Sequence, residues 1–193
     1  MNGKSPLSFL TLSIYRLPLW LWMVFILFVQ QAYSKRWVCD DAFISFRYAY
    51  HAAIGNGLVF NPGEYVEGYT NFLWTLLLVI PEYLQISTLQ VACLLGIVCA
   101  FASLVTLAQF SHKQNLYFAP LALACHSHFL LFATSGLETS LFTCLLFGGA
   151  CLLFHSAKKR TALFLLALAC LTRPEGFLYF YLYSLSHFFL SSE

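Results

Sequence analysis

Cys39 to Trp74 reads CDDAFISFRYAYHAAIGNGLVFNPGEYVEGYTNFLW, a polar, turn-rich insert in a chain whose flanks are almost as apolar as lipid. Backbone groups left unpaired in hydrocarbon are costly, so irregular chain of this kind belongs at a membrane face or against a water-filled cavity. Two adjacent acids, Asp40 and Asp41, open the insert beside aromatic side chains. The chemistry is expected here.

Across the whole chain, 60% of the 193 residues are hydrophobic and 9% are charged, whereas soluble domains carry roughly 25% charged residues. The apolar runs approach the roughly 20 residues that one helical span requires. They predict an all-α, polytopic transmembrane helical bundle: a single transmembrane domain over 1–193, with a first extracytoplasmic loop over 37–71 that contains short juxtamembrane helices. Cys93, Cys99, Cys125, Cys144, Cys151 and Cys170 fall inside apolar runs, where they read as small hydrophobes. Only Cys39 lies in a polar segment, so no loop disulfide and no redox compartment follow. A net charge of +2 with no basic cluster interleaved with aromatics excludes nucleic acid as a partner.

Leu17 to Ala32 reads as a first transmembrane helix. The competing signal-peptide reading, with Ala32-Tyr33-Ser34 as cleavage site, is disfavoured by Trp20, Trp22 and the later spans. Further apolar segments run from Asn71 to Tyr83, Leu89 to Phe110, Leu116 to Thr134, Leu141 to His155, Thr161 to Leu171 and Phe177 to Leu190. Lys158-Lys159-Arg160, and more weakly His112-Lys113, are cytoplasmic by the positive-inside rule. Both fit if Asn71 to Tyr83 is re-entrant or interfacial, and Asp40, Asp41, Glu64, Glu67, Glu138, Arg173 and Glu175 then share the outer face. Lys35, Arg36 and Arg47 lie outside in this scheme and nearly balance Lys4 and Arg16, so the first helix alone does not orient the chain.

Phe43, Phe46, Tyr50 and Ala53 recur at helical spacing after Asp40-Asp41, which puts an acid at the N-cap or in the first turn. One carboxylate satisfies a cap; the second calls for another role, such as deprotonating an acceptor hydroxyl, orienting it or holding a divalent cation. Asn56-Gly57 and Pro62-Gly63 predict tight reversals. Beyond them, Glu64, Glu67, Tyr69, Asn71 and Trp74 supply acceptors and aromatic faces that suit a sugar, although Tyr69 and Trp74 read equally as membrane-interface anchors. In Ser135-Gly136-Leu137-Glu138-Thr139 the acid reads first as a helix start. Leu171-Thr172-Arg173-Pro174-Glu175-Gly176 sets charges between short apolar runs, with Arg173 suited to a phosphate or paired with Glu175. His126 and His128, two apart in an apolar run, read as packing residues rather than a metal pair.

CDDAFISFRYA with GLVFNPGEYVEGYTNFLW, then SGLETSLF and LTRPEGFL, resembles the N-terminal half of polyprenyl-phosphate-dependent membrane glycosyltransferases of the GT-C superfamily, and most nearly the terminal arabinofuranosyltransferases and their bacterial relatives. The resemblance implies a multispanning enzyme of the bacterial inner membrane that transfers a sugar from a polyprenyl-phosphate donor to a glycan or lipid hydroxyl at the extracytoplasmic face. Asp40 or Asp41 then becomes the base or acceptor-orienting acid. Arg47, Glu67, Tyr69, Asn71, Glu138, Arg173 and Glu175 become substrate-binding candidates, with a divalent cation as the cofactor to consider. Such enzymes continue through further helices, so the resemblance also implies a downstream C-terminal portion as a partner. A non-catalytic membrane subunit and a transporter are the alternatives; no internal repeat supports the latter.

Overall fold

The computed structural model describes residues 19–113, 118–155 and 159–182. Its helices are α1 (Leu19–Ser34), α2 (Ala42–Ala53), α3 (Phe72–Tyr83), α4 (Thr88–Lys113), α5 (Ala119–Ala124), α6 (Ser127–Phe132), α7 (Thr139–His155) and α8 (Lys159–Thr172). A further helical stretch covers 176–182. Among the described residues there is no strand, only one isolated bridge between Asn61 and Glu64.

Helix α1 buries Leu21, Val24, Phe28 and Ala32 along one stripe and leaves Leu19, Met23, Ile26 and Leu27 exposed on the rest of its circumference. A helix that is apolar all round wants apolar surroundings on every side. Helix α4 continues the pattern over 26 residues, about 39 Å at 1.5 Å per residue. The most apolar window of its Thr88–Ser111 stretch has a mean hydropathy of 2.5, and this is, among the described residues, the one helix long and apolar enough to cross a membrane. Only 28% of its most apolar window is buried within the chain. Leu19–Ser34, Phe72–Tyr83 and Thr139–Leu153 are apolar but shorter.

Three apolar clusters hold these helices together. Val24, Phe28 and Ala32 of α1 meet Ala100 and Leu104 of α4, Ala124 of α5 and Leu130 of α6. Ala42, Phe46 and Ala49 of α2 meet Trp74 and Leu78 of α3 and Ala92 of α4. Leu153 of α7 packs on Ala162 and Leu166 of α8, with Phe180 against them. Small residues recur at these crossings and let backbones approach. The limiting case is Gly96, where a Cβ would lie 2.4 Å from the Ala133 carbonyl oxygen. Helix α4 therefore passes the end of α6 at a distance that any side chain at position 96 would forbid.

Several sequence expectations shift. The first helix continues to Ser34, past the expected end at Ala32, with the expected start at Leu17 lying outside the described residues, and α4 extends the expected Leu89 to Phe110 run at both ends. The apolar stretch expected to run unbroken from Leu116 to Thr134 is instead two short helices, α5 and α6. His126 adopts extended backbone there, at φ −74° and ψ 121°, and interrupts the helical hydrogen-bond ladder. Cys125, expected to pack as a small hydrophobe, is exposed at this break, and so are His126 and His128. Leu116, Lys158 and the end of the expected Phe177 to Leu190 span lie outside the described residues.

Candidate functional site

The Ser135 to Thr139 turn brings the distant polar motifs together. The Cys39 N–H donates to the Ser135 carbonyl oxygen at 3.0 Å, and the buried Trp74 indole N–H donates to the Gly136 carbonyl oxygen at 3.1 Å. Trp74 is thus a structural strut; 1% exposed, it offers a ring face neither to a sugar nor to a membrane interface. Gly136 sits at φ +81°, a conformation natural to glycine, and a Cβ there would come within 3.0 Å of the Ala42 Cβ and 3.3 Å of the Phe46 ring. The first turn of α2 therefore rests directly on this glycine.

Asn71, immediately before α3, is the hub of the buried side of the site. Its Nδ2 donates to Ser45 Oγ at 2.9 Å and to Glu138 Oε2 at 2.9 Å. Its Oδ1 accepts from Thr75 Oγ1 at 3.0 Å. The other oxygen of Glu138 lies 3.5 Å from Arg173 Nε, and Arg173 Nη2 lies 3.5 Å from Glu175 Oε1. The Glu138 side chain is 12% exposed, that of Arg173 37% and that of Glu175 59%, so the chain of contacts runs from the interior out to the surface. The sequence offered Arg173 either a phosphate or Glu175. Here it meets Glu175 and Glu138 together, with one edge still open.

Asp40 and Asp41 stand at the exposed entrance of α2. The turn that starts the helix is closed by backbone: Ala42 N–H to the Cys39 carbonyl at 3.0 Å, Phe43 N–H to Asp40 at 3.1 Å and Ile44 N–H to Asp41 at 3.2 Å. Asp41 occupies the cap position at φ −62° and ψ −23° with no side-chain capping hydrogen bond. The capping expectation therefore gains no side-chain support. Asp40, unlike Asp41, lines an open groove of about 470 Å³ together with Phe43, Arg47, Tyr50, Phe60 and Glu82.

Arg47 is tied to the loop that follows α2. Its Nε donates to the Phe60 carbonyl at 2.7 Å and its Nη2 to Asn61 Oδ1 at 2.7 Å, with the guanidinium 4.5 Å from the Phe60 ring centre. Asn61 in turn donates to Glu64 Oε2 at 2.9 Å. Further along, the buried Tyr48 hydroxyl donates to the Val66 carbonyl at 2.7 Å and accepts from the Gly68 N–H at 2.9 Å. Tyr69 packs on Tyr48 with ring centres 4.6 Å apart. Burial first, and then the Glu67 charge and Tyr48, raise the Tyr69 phenol above its ordinary pKa, so it is a neutral donor at physiological pH. Glu67 itself is exposed. Among the described residues, no group of three His, Cys, Asp or Glu comes together as a metal cradle.

Asn71, Glu138, Arg173 and Glu175 thus form one connected set, Asp40 and Arg47 share the groove, and Glu67 and Tyr69 line the loop beside Tyr48. Sequence reasoning passed over Ser45, Tyr48, Thr75 and Glu82. Ser45 had a signal: it is the hydroxyl in the otherwise apolar buried stripe of Ala42, Phe46 and Ala49. Glu82 stood out as a charge at the end of an apolar run, but only folding brings it to the groove that Asp40 lines.

No protein-family model matches the chain, and no solved structure matches it. Among curated proteins it is 37% identical over 94 residues to the terminal beta-(1->2)-arabinofuranosyltransferase of Mycobacterium tuberculosis, a match covering 43% of this chain and 15% of that protein. It is 31% identical over 119 residues to the protein of the same name from Corynebacterium glutamicum, covering 56% of this chain and 17% of that one. The chain therefore matches well under a fifth of the length of either relative. Over the matched part it is similar to terminal arabinofuranosyltransferases.

Proposed function

We propose that the chain is part of an integral-membrane glycosyltransferase of GT-C type that moves a sugar, an arabinofuranosyl group by analogy with its relatives, from a polyprenyl-phosphate donor to a hydroxyl on a glycan or lipid. The observation that carries this reading is the junction itself. Motifs scattered between Cys39 and Glu175 meet through Cys39 to Ser135, Trp74 to Gly136, Asn71 to Glu138 and Arg173 to Glu138. Asp40 and Asp41 stand at the surface directly after Cys39, whose N–H is one of the bonds of this junction.

In this mechanism the Asp40 carboxylate takes the proton of the acceptor hydroxyl as its oxygen bonds to the anomeric carbon of the donor. The bond from that carbon to the phosphate oxygen breaks, and the phosphate leaves with the electron pair. Arg173, held at the surface by Glu138 and Glu175, offers its remaining N–H groups to the developing negative charge. The apolar, outward-facing surfaces of α1 and α4 support a membrane as the surrounding medium, with the site at the extracytoplasmic face of a bacterial inner membrane. Membranes that contain this chain, with and without the product of any adjacent downstream reading frame, test the reading when supplied with a polyprenyl-phosphate sugar. Donor-dependent labelling of a lipid or glycan is expected. Labelling in neither preparation refutes it, and labelling only with the downstream product makes this chain one portion of a split enzyme.

A further inference from the structure

We infer that the groove between α2, the loop around Phe60 and the end of α3 is the acceptor subsite, that its ligand is a neutral glycan, and that Glu82 and Tyr50 select it. This rests on the transfer reading above and deepens it. Asp40 precedes α2 and Glu82 lies in the last turn of α3, yet both line this one groove. The Thr88 hydroxyl donates to Glu82 Oε1 at 2.6 Å. That bond orients the carboxylate and engages one of its oxygens; the other retains its capacity to accept from a ligand hydroxyl.

The charge balance decides between donor and acceptor. Asp40 and Glu82 contribute two negative charges to the groove, against Arg47 alone. Arg47 spends its fork on the Phe60 carbonyl and Asn61, so the geometry that a phosphate needs from arginine is already taken by the loop. A polyprenyl phosphate would meet net repulsion here. A polyol meets none, and its hydroxyls suit carboxylate acceptors. The aromatic content points the same way: Phe43 is 53% exposed, Tyr50 48% and Phe60 37%. Large rings so open to solvent offer π-faces on which the C–H face of a sugar can rest. With Asp40 on the same groove, a glycan lying there presents a hydroxyl to the base, while the donor phosphate is left to the Arg173 side of the junction.

The test uses the full chain in detergent or nanodiscs and reads binding by saturation-transfer NMR, with a neutral arabinofuranose oligosaccharide as one probe and farnesyl phosphate as the other. Glu82→Gln keeps an oxygen for Thr88 and so spares the helix end; Tyr50→Ala removes an exposed ring. Glu82→Gln is expected to weaken oligosaccharide binding roughly tenfold, the scale of one hydrogen bond to a charged group, and Tyr50→Ala about two- to tenfold, the scale of one aromatic contact. Farnesyl phosphate binding should be unchanged in both variants, and neither probe should displace the other. No oligosaccharide binding by the parent chain, unchanged binding in both variants, or displacement of the sugar by farnesyl phosphate would overturn the acceptor assignment. Oligosaccharide binding through Glu82 and Tyr50 in a preparation that transfers no sugar would uphold the groove and remove the transfer reading. Transfer with an unaltered acceptor KM in both variants would do the reverse.

Discussion

The Asn71 amide donates to the Glu138 carboxylate at 2.9 Å across 67 positions of sequence, and through that bond α3 is fastened to the turn that precedes α7. The same amide holds Ser45 of α2. One buried side chain thus sets the spacing between the helix that carries Asp40 at its entrance and the turn that carries Glu138.

Asn71→Ala should accordingly destabilise the folded chain. It strands the Ser45 hydroxyl and weakens the hold on Glu138, and each buried polar group left without its partner costs about 1–3 kcal/mol. Asn71→Asp should be worse, because it sets a second carboxylate against Glu138. Thermal unfolding in detergent measures both. An Asn71→Ala midpoint equal to that of the parent would show that the hub contributes nothing.

Arg173 separates a phosphate role from a pairing role. With its side chain 37% exposed, its contacts to Glu138 and Glu175 contribute at most about 1 kcal/mol. Arg173→Ala and Arg173→Lys should therefore both leave the fold intact, and both should lower kcat/KM for the donor, since an ammonium cannot reproduce a planar fork. Full activity in the Lys variant, with a loss of stability in the Ala variant, would make Arg173 a structural pair and nothing more.

Asp40 and Asp41 should be unequal. Asp41 makes no capping hydrogen bond and does not line the groove, so Asp41→Asn should accumulate normally and retain most of its transfer rate. Asp40→Asn should accumulate equally well and lose about 10² to 10⁴ in rate, the loss expected for a general base. The rate is best measured on the longest natural form of the protein. Parental rates in both single variants and in the double variant would remove this loop from the chemistry.

Cysteines placed at Asn61, Glu138 and Glu175 should react with an impermeant thiol reagent from the outside of intact cells. Those placed at Lys113 and Lys159 should react only after permeabilisation. The expectation combines the Lys158-Lys159-Arg160 cluster with the contacts that already bind the Asn71 and Arg173 regions to Glu138. Opposite sidedness for Asn61 and Glu138 would sink the single-face arrangement.

The sequence by itself marked the helices, because a long apolar run or a 3.6-residue recurrence such as Phe43, Phe46, Tyr50 and Ala53 carries its own period and needs no distant partner. It did not mark the buried face, which is Ala42, Phe46 and Ala49 while Phe43 and Tyr50 are exposed. It also marked the polar motifs, since charges are conspicuous in a chain with so few. The break at His126 was not legible: its neighbours are apolar on both sides, and backbone conformation at a helix interruption is set by what packs around it. Trp74 and Asn71 looked like surface recognition residues and are buried, because residue type states what a side chain can bond to and not how far it lies from solvent. Above all, pairing partners came only from tertiary structure. Arg173 had an adjacent acid in sequence, but its second carboxylate, Glu138, lies 35 positions upstream and is brought there by the packing of α7 on α8 and by Asn71. Electrostatic and hydrogen-bond energies depend on distance through space, and in a helical bundle that distance is fixed by the crossings of helices rather than by the order of the chain.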